Sequence, residues 1–509
     1  MPHGDLAQLA AVLGALGAIL VLLPRHRGLL LGGFGVLATA EALLAVALIP
    51  SSDLERLQRP LVLAGLVAIV LVGLGLAYVL ARWPTLTPVA LLLAAPFRIP
   101  VDLGSQHAFL LLPLYGVLAA AVLAFCWQAV TSRPRPVTPW LSGPIAAFIA
   151  LSGVSLVWSH DLKQGSIELV FFLFPFAALF AIVARTQLPC WLPRALGMTL
   201  VALTAVFASI GLLQRATQTL LYAPALEVEN AFTSYFRVSS VFKDPSLFGR
   251  YLALGIAVLV AAYLYGRVRL AVAAPLLAIS FAALWFSYSQ SSMVTIFAVV
   301  AGLALVAGTR EMRRVVLIVA AAIVLTATAV VAVHVRNDSS RKFTSDRSRL
   351  VAVTWKVFKN HPLVGVGVGG QPKASREEAA QRLAASRNRS HTTPLTAAAE
   401  LGVLGILTYV AFLAGAARAL LGLARRDPAL GVTLTAVFAT LFLHSLFYAG
   451  FFEDPITWGV LAIAAAALAA SHRARGGSLD GTGTAEDIVT LCRSPVDRSA
   501  PLAVDRVEP

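Results

Sequence analysis

The stretch Asn388 to Gly405, reading NRSHTTPLTAAAELGVLG, sets a histidine on a basic loop just ahead of an apolar helix that carries one carboxylate and two glycines. A histidine there can take a proton from an incoming hydroxyl. Thr393 can cap the helix, and Pro394 suits its first position, where no backbone N–H is needed. His391 then stands at the positive helix end, which disfavours the imidazolium and favours a neutral, proton-accepting ring. Glu400 falls about two turns further in, where an unpaired carboxylate is costly, so it is expected to face a polar cavity or a cationic partner. Gly402 and Gly405 strip side chains from one face, allowing a neighbouring helix or a lipid-like substrate to come close.

The second set of chemistry-bearing residues is cationic. The segment Val335 to Thr393 is rich in Lys and Arg, Arg347 and Arg349 among them. Two readings are open: attraction to anionic lipid headgroups, or grip on an anionic substrate by the planar guanidinium fork. Arg347 to Phe358 has the pattern of an amphipathic helix lying on the membrane surface, with Leu350, Val353, Trp355 and Val357 on its apolar side. His361-Pro362 ends it, and VGVGVGG follows with Gly365, Gly367, Gly369 and Gly370. This series lacks the Walker lysine and the Rossmann context, so a tight turn packed on a neighbouring helix is favoured over a phosphate cradle.

These residues need a scaffold, and composition specifies it. With 58% hydrophobic and 13% charged residues among 509, and a mean hydropathy of +0.81, the chain is not an ordinary soluble protein. About fifteen apolar segments run between residues 6 and 471, near the length of a membrane-crossing helix. The fourth, 85–97, is short and ends in Pro96-Phe97-Arg98-Ile99-Pro100, the mark of a broken or re-entrant element. The expected fold is all-α: a polytopic transmembrane helix bundle of about 12–15 spans, with a large extracytoplasmic loop containing the amphipathic helix. Alternate short loops are basic, at Arg133 and Arg135, Arg267 and Arg269, Arg425 and Arg426 for example, and should face the cytoplasm. Loops 214–245 and 335–393 then face outward. The net charge of +15 is thereby a membrane signature, and no nucleic-acid partner is expected. Cys126, Cys190 and Cys492 have no metal-ligand spacing. The start of the chain lacks the basic region and cleavage site of a signal peptide, so its first apolar run is expected to stay in the membrane. Residues 1–213 are expected to form N-terminal transmembrane helices, 214–471 the membrane domain with the two outward loops, and 472–509 a disordered cytoplasmic tail.

The Arg-led helix, HPLVGVGVGG, the polar stretch after it and SHTTPLTAAAELGVLG together resemble the O-antigen ligase and polymerase family of bacterial integral-membrane glycosyltransferases, over about Arg237 to Trp458. Phe236-Arg237-Val238-Ser239-Ser240-Val241-Phe242 before Asp244-Pro245 is similar to the family's arginine-containing stretch, and Gly450 to Pro455 to its acidic outer turn. The chain departs from the pattern at Thr392 and at Pro245-Ser246, where the family usually has asparagine after the histidine and after the proline. At Ser287 to Ser292 it lacks the family's Ser-Arg pair.

The resemblance implies a membrane glycosyltransferase of the ligase or polymerase kind in cell-envelope polysaccharide synthesis. It would move a glycan from a polyprenyl-diphosphate-linked donor to a hydroxyl of a glycan, lipid or protein acceptor, without metal, nucleotide sugar or cofactor. It also implies a multi-pass protein of the bacterial cytoplasmic membrane, among membrane lipids, with its site on the extracytoplasmic side. His391 is then the candidate base, and Arg237 with Arg347 or Arg349 the candidate diphosphate clamp. Arg347, fourteen residues before His361, is preferred to Arg349. Glu400 is either a second catalytic group or the structural partner of an arginine, Glu453 and Asp454 are outer-turn capping and ion-pair residues, and Arg98 is an additional candidate for the diphosphate. Two alternatives remain: a transporter or flippase of lipid-linked glycans, which would not need His391 as a base, and a non-catalytic membrane partner of envelope enzymes.

Overall fold

The computed structural model describes residues 4–24, 26–49, 60–103, 106–221, 223–336, 347–379 and 390–476. The apolar segments read from the sequence fall on helices. These are α1 (Gly4–Leu22), α2 (Arg27–Leu48), α3 (Pro60–Arg82), α4 (Thr87–Ala94), α5 (Leu112–Thr131), α6 (Pro139–Ser155), the α7–α8 run (Leu162–Glu168 and Phe174–Val183, joined by a widened π turn at Leu169–Leu173) and α9 (Trp191–Thr217). A short helix α10 (Pro224–Ala231) follows, then α11 (Pro245–Leu264), α12 (Leu270–Ser287), α13 (Gln290–Ala307) and α14 (Arg310–Arg336). The remainder comprises α15 (Arg347–Asn360), α16 (Gln371–Glu378), α17 (Thr393–Ala424), α18 (Pro428–Ser445) and α19 (Pro455–Gly476).

Among the described residues, eleven helices are long and apolar enough to cross a membrane, or twelve if one bent pair counts as a single span. That pair is Val67–Arg82 with Pro84–Ala94, bent by 110°, so the fourth segment is half of a broken span rather than a span of its own. The Pro84 that opens the second half cannot continue the helix before it. The fold is a polytopic helical bundle. Beyond the helices, the described residues contain one short antiparallel hairpin, Ile99–Leu103 with Gln106–Leu110, directly after the broken span. The tail expectation for 477–509 and the loop cations Arg341, Lys342, Arg382, Arg387 and Arg389 lie outside the described residues.

A break in α17 organises the site end of the bundle. Gly402 adopts φ 65 and ψ −154 inside this helix. In an unbroken helix the amides of residues 403 and 404 would bond the carbonyls of 399 and 400. Here Val403 N instead donates to Pro362 O (2.8 Å), while Ala399 O accepts from Val366 N (3.0 Å) and Glu400 O from Gly367 N (2.8 Å). Carbonyls freed in an apolar setting must find donors, and the glycine-rich strap 362–370 supplies them. On its other side the strap is held by the turn after α6: Ser159 Oγ donates to Val368 O (2.8 Å), His160 N to Val366 O (2.9 Å), and Val368 N to Ser155 Oγ (3.0 Å).

The glycines follow from this geometry. Gly365, Gly367 and Gly369 have φ of 67, 81 and 70, values that cost a side chain dearly. A Cβ on Gly365 would also lie 2.3 Å from the Glu400 backbone. The tight turn expected from VGVGVGG is thus a strap between two elements. Gly402 likewise admits the strap, with Leu363 O at 2.3 Å from its would-be Cβ, where a helix or lipid was expected. The amphipathic α15 turns Val357 inward to a small core with Val366, Ala374 and Ala399, leaving Val351 and Trp355 exposed.

Candidate active site

His391 is positioned from behind. Helix α17 begins at Thr393, so Thr392 occupies the cap position, one residue earlier than expected, and its side chain makes no capping bond. Its amide instead donates to Ser390 Oγ (3.2 Å), closing a tight polar turn around the histidine. Ser390 is buried, and its own amide donates to Gln371 Oε1 (2.9 Å). Gln371 is fully buried and reaches Ser375 Oγ (2.7 Å) and Thr354 Oγ1 (3.2 Å) through Nε2. One amide side chain therefore ties α15, α16 and the histidine turn together. Nothing in the sequence distinguishes Gln371 from its polar neighbours.

The His391 ring, half-buried, lies 6.5 Å from the Tyr448 ring, centroid to centroid. Tyr448 is the meeting point of several groups. The Arg250 guanidinium sits 5.6 Å over its ring, and the His444 ring is 5.6 Å away. Burial, followed by the charge of Asp244, pushes the Tyr448 hydroxyl well above its ordinary pKa, against the opposing charges of Arg250 and Arg98.

Arg250 was not among the residues singled out from the sequence. It pairs with Asp454 at 3.1 Å, each side chain only 3% exposed, and donates to Gly450 O (3.0 Å) and Ala449 O (3.3 Å). The signal was available: an arginine inside an apolar helix must be partnered or functional. Asp454 also caps α19 by accepting from Ile456 N (3.0 Å), so the expected capping and ion-pair roles are both present at this residue. Deeper in, His444 Nε2 lies 3.2 Å from Ser291 Oγ and 3.1 Å from Ser292 Oγ. The serine turn lacking the arginine thus carries a buried histidine contact.

The remaining candidates fall in separate places. Arg237 pairs with Glu229 at 2.6 Å and donates through Nε to Ser287 O at 3.4 Å. Its segment is pinned by Asn230, and by Gln214, which accepts from Ser240 N at 2.7 Å. Arg349 is half-buried in the first turn of α15; Arg347 opens that helix, and its side chain lies outside the described residues. Glu400 is buried at 6% exposure and lines a cavity of about 80 Å³ with Glu168, Glu453, Thr393 and Thr396. It stands nine residues after His391, two turns into α17. They are related through the turn Ala449–Glu453, which lines the Glu400 cavity and follows Tyr448. Phe148, Ser152 and Glu168 complete that cavity from the N-terminal helices. Among the described residues, no group of three or more His, Cys, Asp or Glu is placed to hold a metal ion.

The class of protein is a multi-pass membrane protein whose broken helix presents a histidine at one end of the bundle. Residues 275–410 match the family model described as O-antigen ligase, a stretch that contains the strap, Arg347, Arg349, His391 and Glu400. The match supports membership of the O-antigen ligase family, and with it O-antigen ligase-like glycosyltransferase activity in the broad sense. Among curated proteins, none matches the chain.

Proposed function

We propose that the protein transfers a glycan from a polyprenyl diphosphate to an acceptor hydroxyl, with His391 as the base. What supports this most is the placement of His391. It is held by the Gln371 network at the start of a broken helix, and it faces Tyr448 where the influence of Arg98 and the Arg250–Asp454 pair converge. In the proposed step His391 takes the acceptor proton as the acceptor oxygen attacks the anomeric carbon. The bond from that carbon to the diphosphate oxygen breaks, and the electron pair leaves with the diphosphate. Cations stabilise the charge developing on the departing oxygen; Arg237 and Arg347 or Arg349 are proposed for that role, with Arg98 as an additional candidate. Attack from the opposite face inverts the anomeric centre, and the proton on His391 passes to solvent.

The strap end is proposed to be extracytoplasmic and the membrane the bacterial cytoplasmic one, because the opposite loops carry the basic residues. The Glu400 cavity, with its carboxylates and hydroxyls, is proposed to serve the acceptor side of the site. Purified protein supplied with a polyprenyl-diphosphate glycan and an acceptor should release polyprenyl diphosphate and form acceptor-linked glycan. Movement of intact donor across a bilayer with no cleavage would instead identify a flippase.

A further inference from the structure

At the root of the glycine-rich strap two histidines from distant parts of the chain come together. His160 lies in the turn after α6, His361 directly follows α15, and their ring centroids stand 5.3 Å apart with the planes at 81°. Both backbones are fixed. His160 N donates to Val366 O (2.9 Å), and His160 O accepts from Lys373 Nζ (2.9 Å). His361 N donates to Val357 O (3.1 Å), and its carbonyl accepts from Gly365 N (3.1 Å). Both residues are exposed, so an ion in solution can reach the rings, and neither ring has a part in the transfer step. Of the charges that act on His160 from α16, Glu377 and Lys373 oppose each other, so the pair does not sit in a field of one sign.

We propose that His160 and His361 together bind one divalent transition-metal ion of the zinc class, with water completing its coordination. Zinc holds an imidazole nitrogen at about 2.0–2.1 Å with tetrahedral angles, which places the centroids of two rings on one ion roughly 5.2 Å apart. The observed separation meets this with both backbones as they stand, leaving only the ring torsions to select the nitrogens. Imidazole suits zinc, copper and nickel, whereas magnesium and calcium take oxygen ligands. Two protein ligands make an exchangeable site and not a closed structural one, consistent with there being no metal-holding group of three or more among the described residues. The ion has no part in glycan transfer. It links the turn after α6 to the end of α15 across the root of the strap, and the strap supplies the donors for carbonyls freed at Gly402. Bound metal therefore stabilises the break in α17, because a ligand held only by the folded chain raises its stability by mass action. The site stands independently of the donor and the reaction.

The test uses the full-length protein, free of any affinity histidines, with zinc and copper(II) as probes. Zinc should raise the thermal midpoint of the native protein with dose, and a chelator should reverse the rise. His160→Gln and His361→Gln, both at exposed positions, should each demand at least ~10-fold more zinc for the same rise. His26→Gln, between α1 and α2, should respond as the native protein does. Copper(II) bound to the native protein should give an electron paramagnetic resonance spectrum split by two imidazole nitrogens. That spectrum needs no variant, so it decides the matter even where a glutamine variant fails to fold. A one-nitrogen spectrum, no zinc response, or equal zinc responses in the native protein and both strap variants would overturn the proposal, leaving the two rings as edge-to-face packing, which has a similar spacing.

Discussion

At the residue scale, the groups legible in the sequence were those whose meaning is local. His391 announced itself by standing just before a proline-led helix. Arg250 and Gln371 did not, because their partners lie far along the chain: Asp454 is 204 positions from Arg250, and Ser390 is 19 from Gln371. The clamp arginines can be tested one by one. Arg237 is already engaged with Glu229, so a donor diphosphate would have to share it. Arg237→Lys keeps the charge and loses the fork, and donor affinity should fall by about 10-fold if the fork is used, a loss of roughly 1.4 kcal/mol. Unchanged affinity and turnover, measured on folded protein, would remove Arg237 from the site.

At the element scale, the glycine series could be read as a turn, but not as the device that completes a broken helix. Periodicity reports a continuous apolar face and is silent about which carbonyls are left open at Gly402. Gly365→Ala should destabilise the protein by about 1–3 kcal/mol from its backbone conformation alone, with the clash against Glu400 adding to it. A thermal midpoint equal to that of the native protein would show that the strap is not needed. The strap also carries a pH dependence. His160 stands with its ring 5.3 Å from that of His361, and burial, then the His361 charge, holds its pKa below the ordinary value, with Glu377 opposing and Lys373 reinforcing. A histidine depressed in the folded state binds its proton more readily when unfolded. Its contribution is therefore complete above the unfolded value of about 6.5 and is lost as pH falls from there through the lower folded value. Because the ring is largely exposed, the effect should be small. His160→Gln should flatten the decline in thermal midpoint between about pH 7 and 5, and an unaltered slope would exclude it.

At the scale of the whole molecule, apolar length and loop charge made the bundle legible, and they did not show the bend at Pro84 that divides one span. The orientation proposed above rests on the same charges. In a background lacking native cysteines, a cysteine replacing the exposed Glu377 should react with an impermeant thiol reagent from outside the cell, and one replacing Arg425 should not. The opposite labelling would invert the molecule. Whether it is a transferase with His391 as base is decided most directly by one comparison. His391→Ala, folded and assayed with a polyprenyl-diphosphate glycan, should lose about 10²- to 10⁴-fold in turnover while still binding the donor. Near-normal turnover in that variant would contradict the assignment.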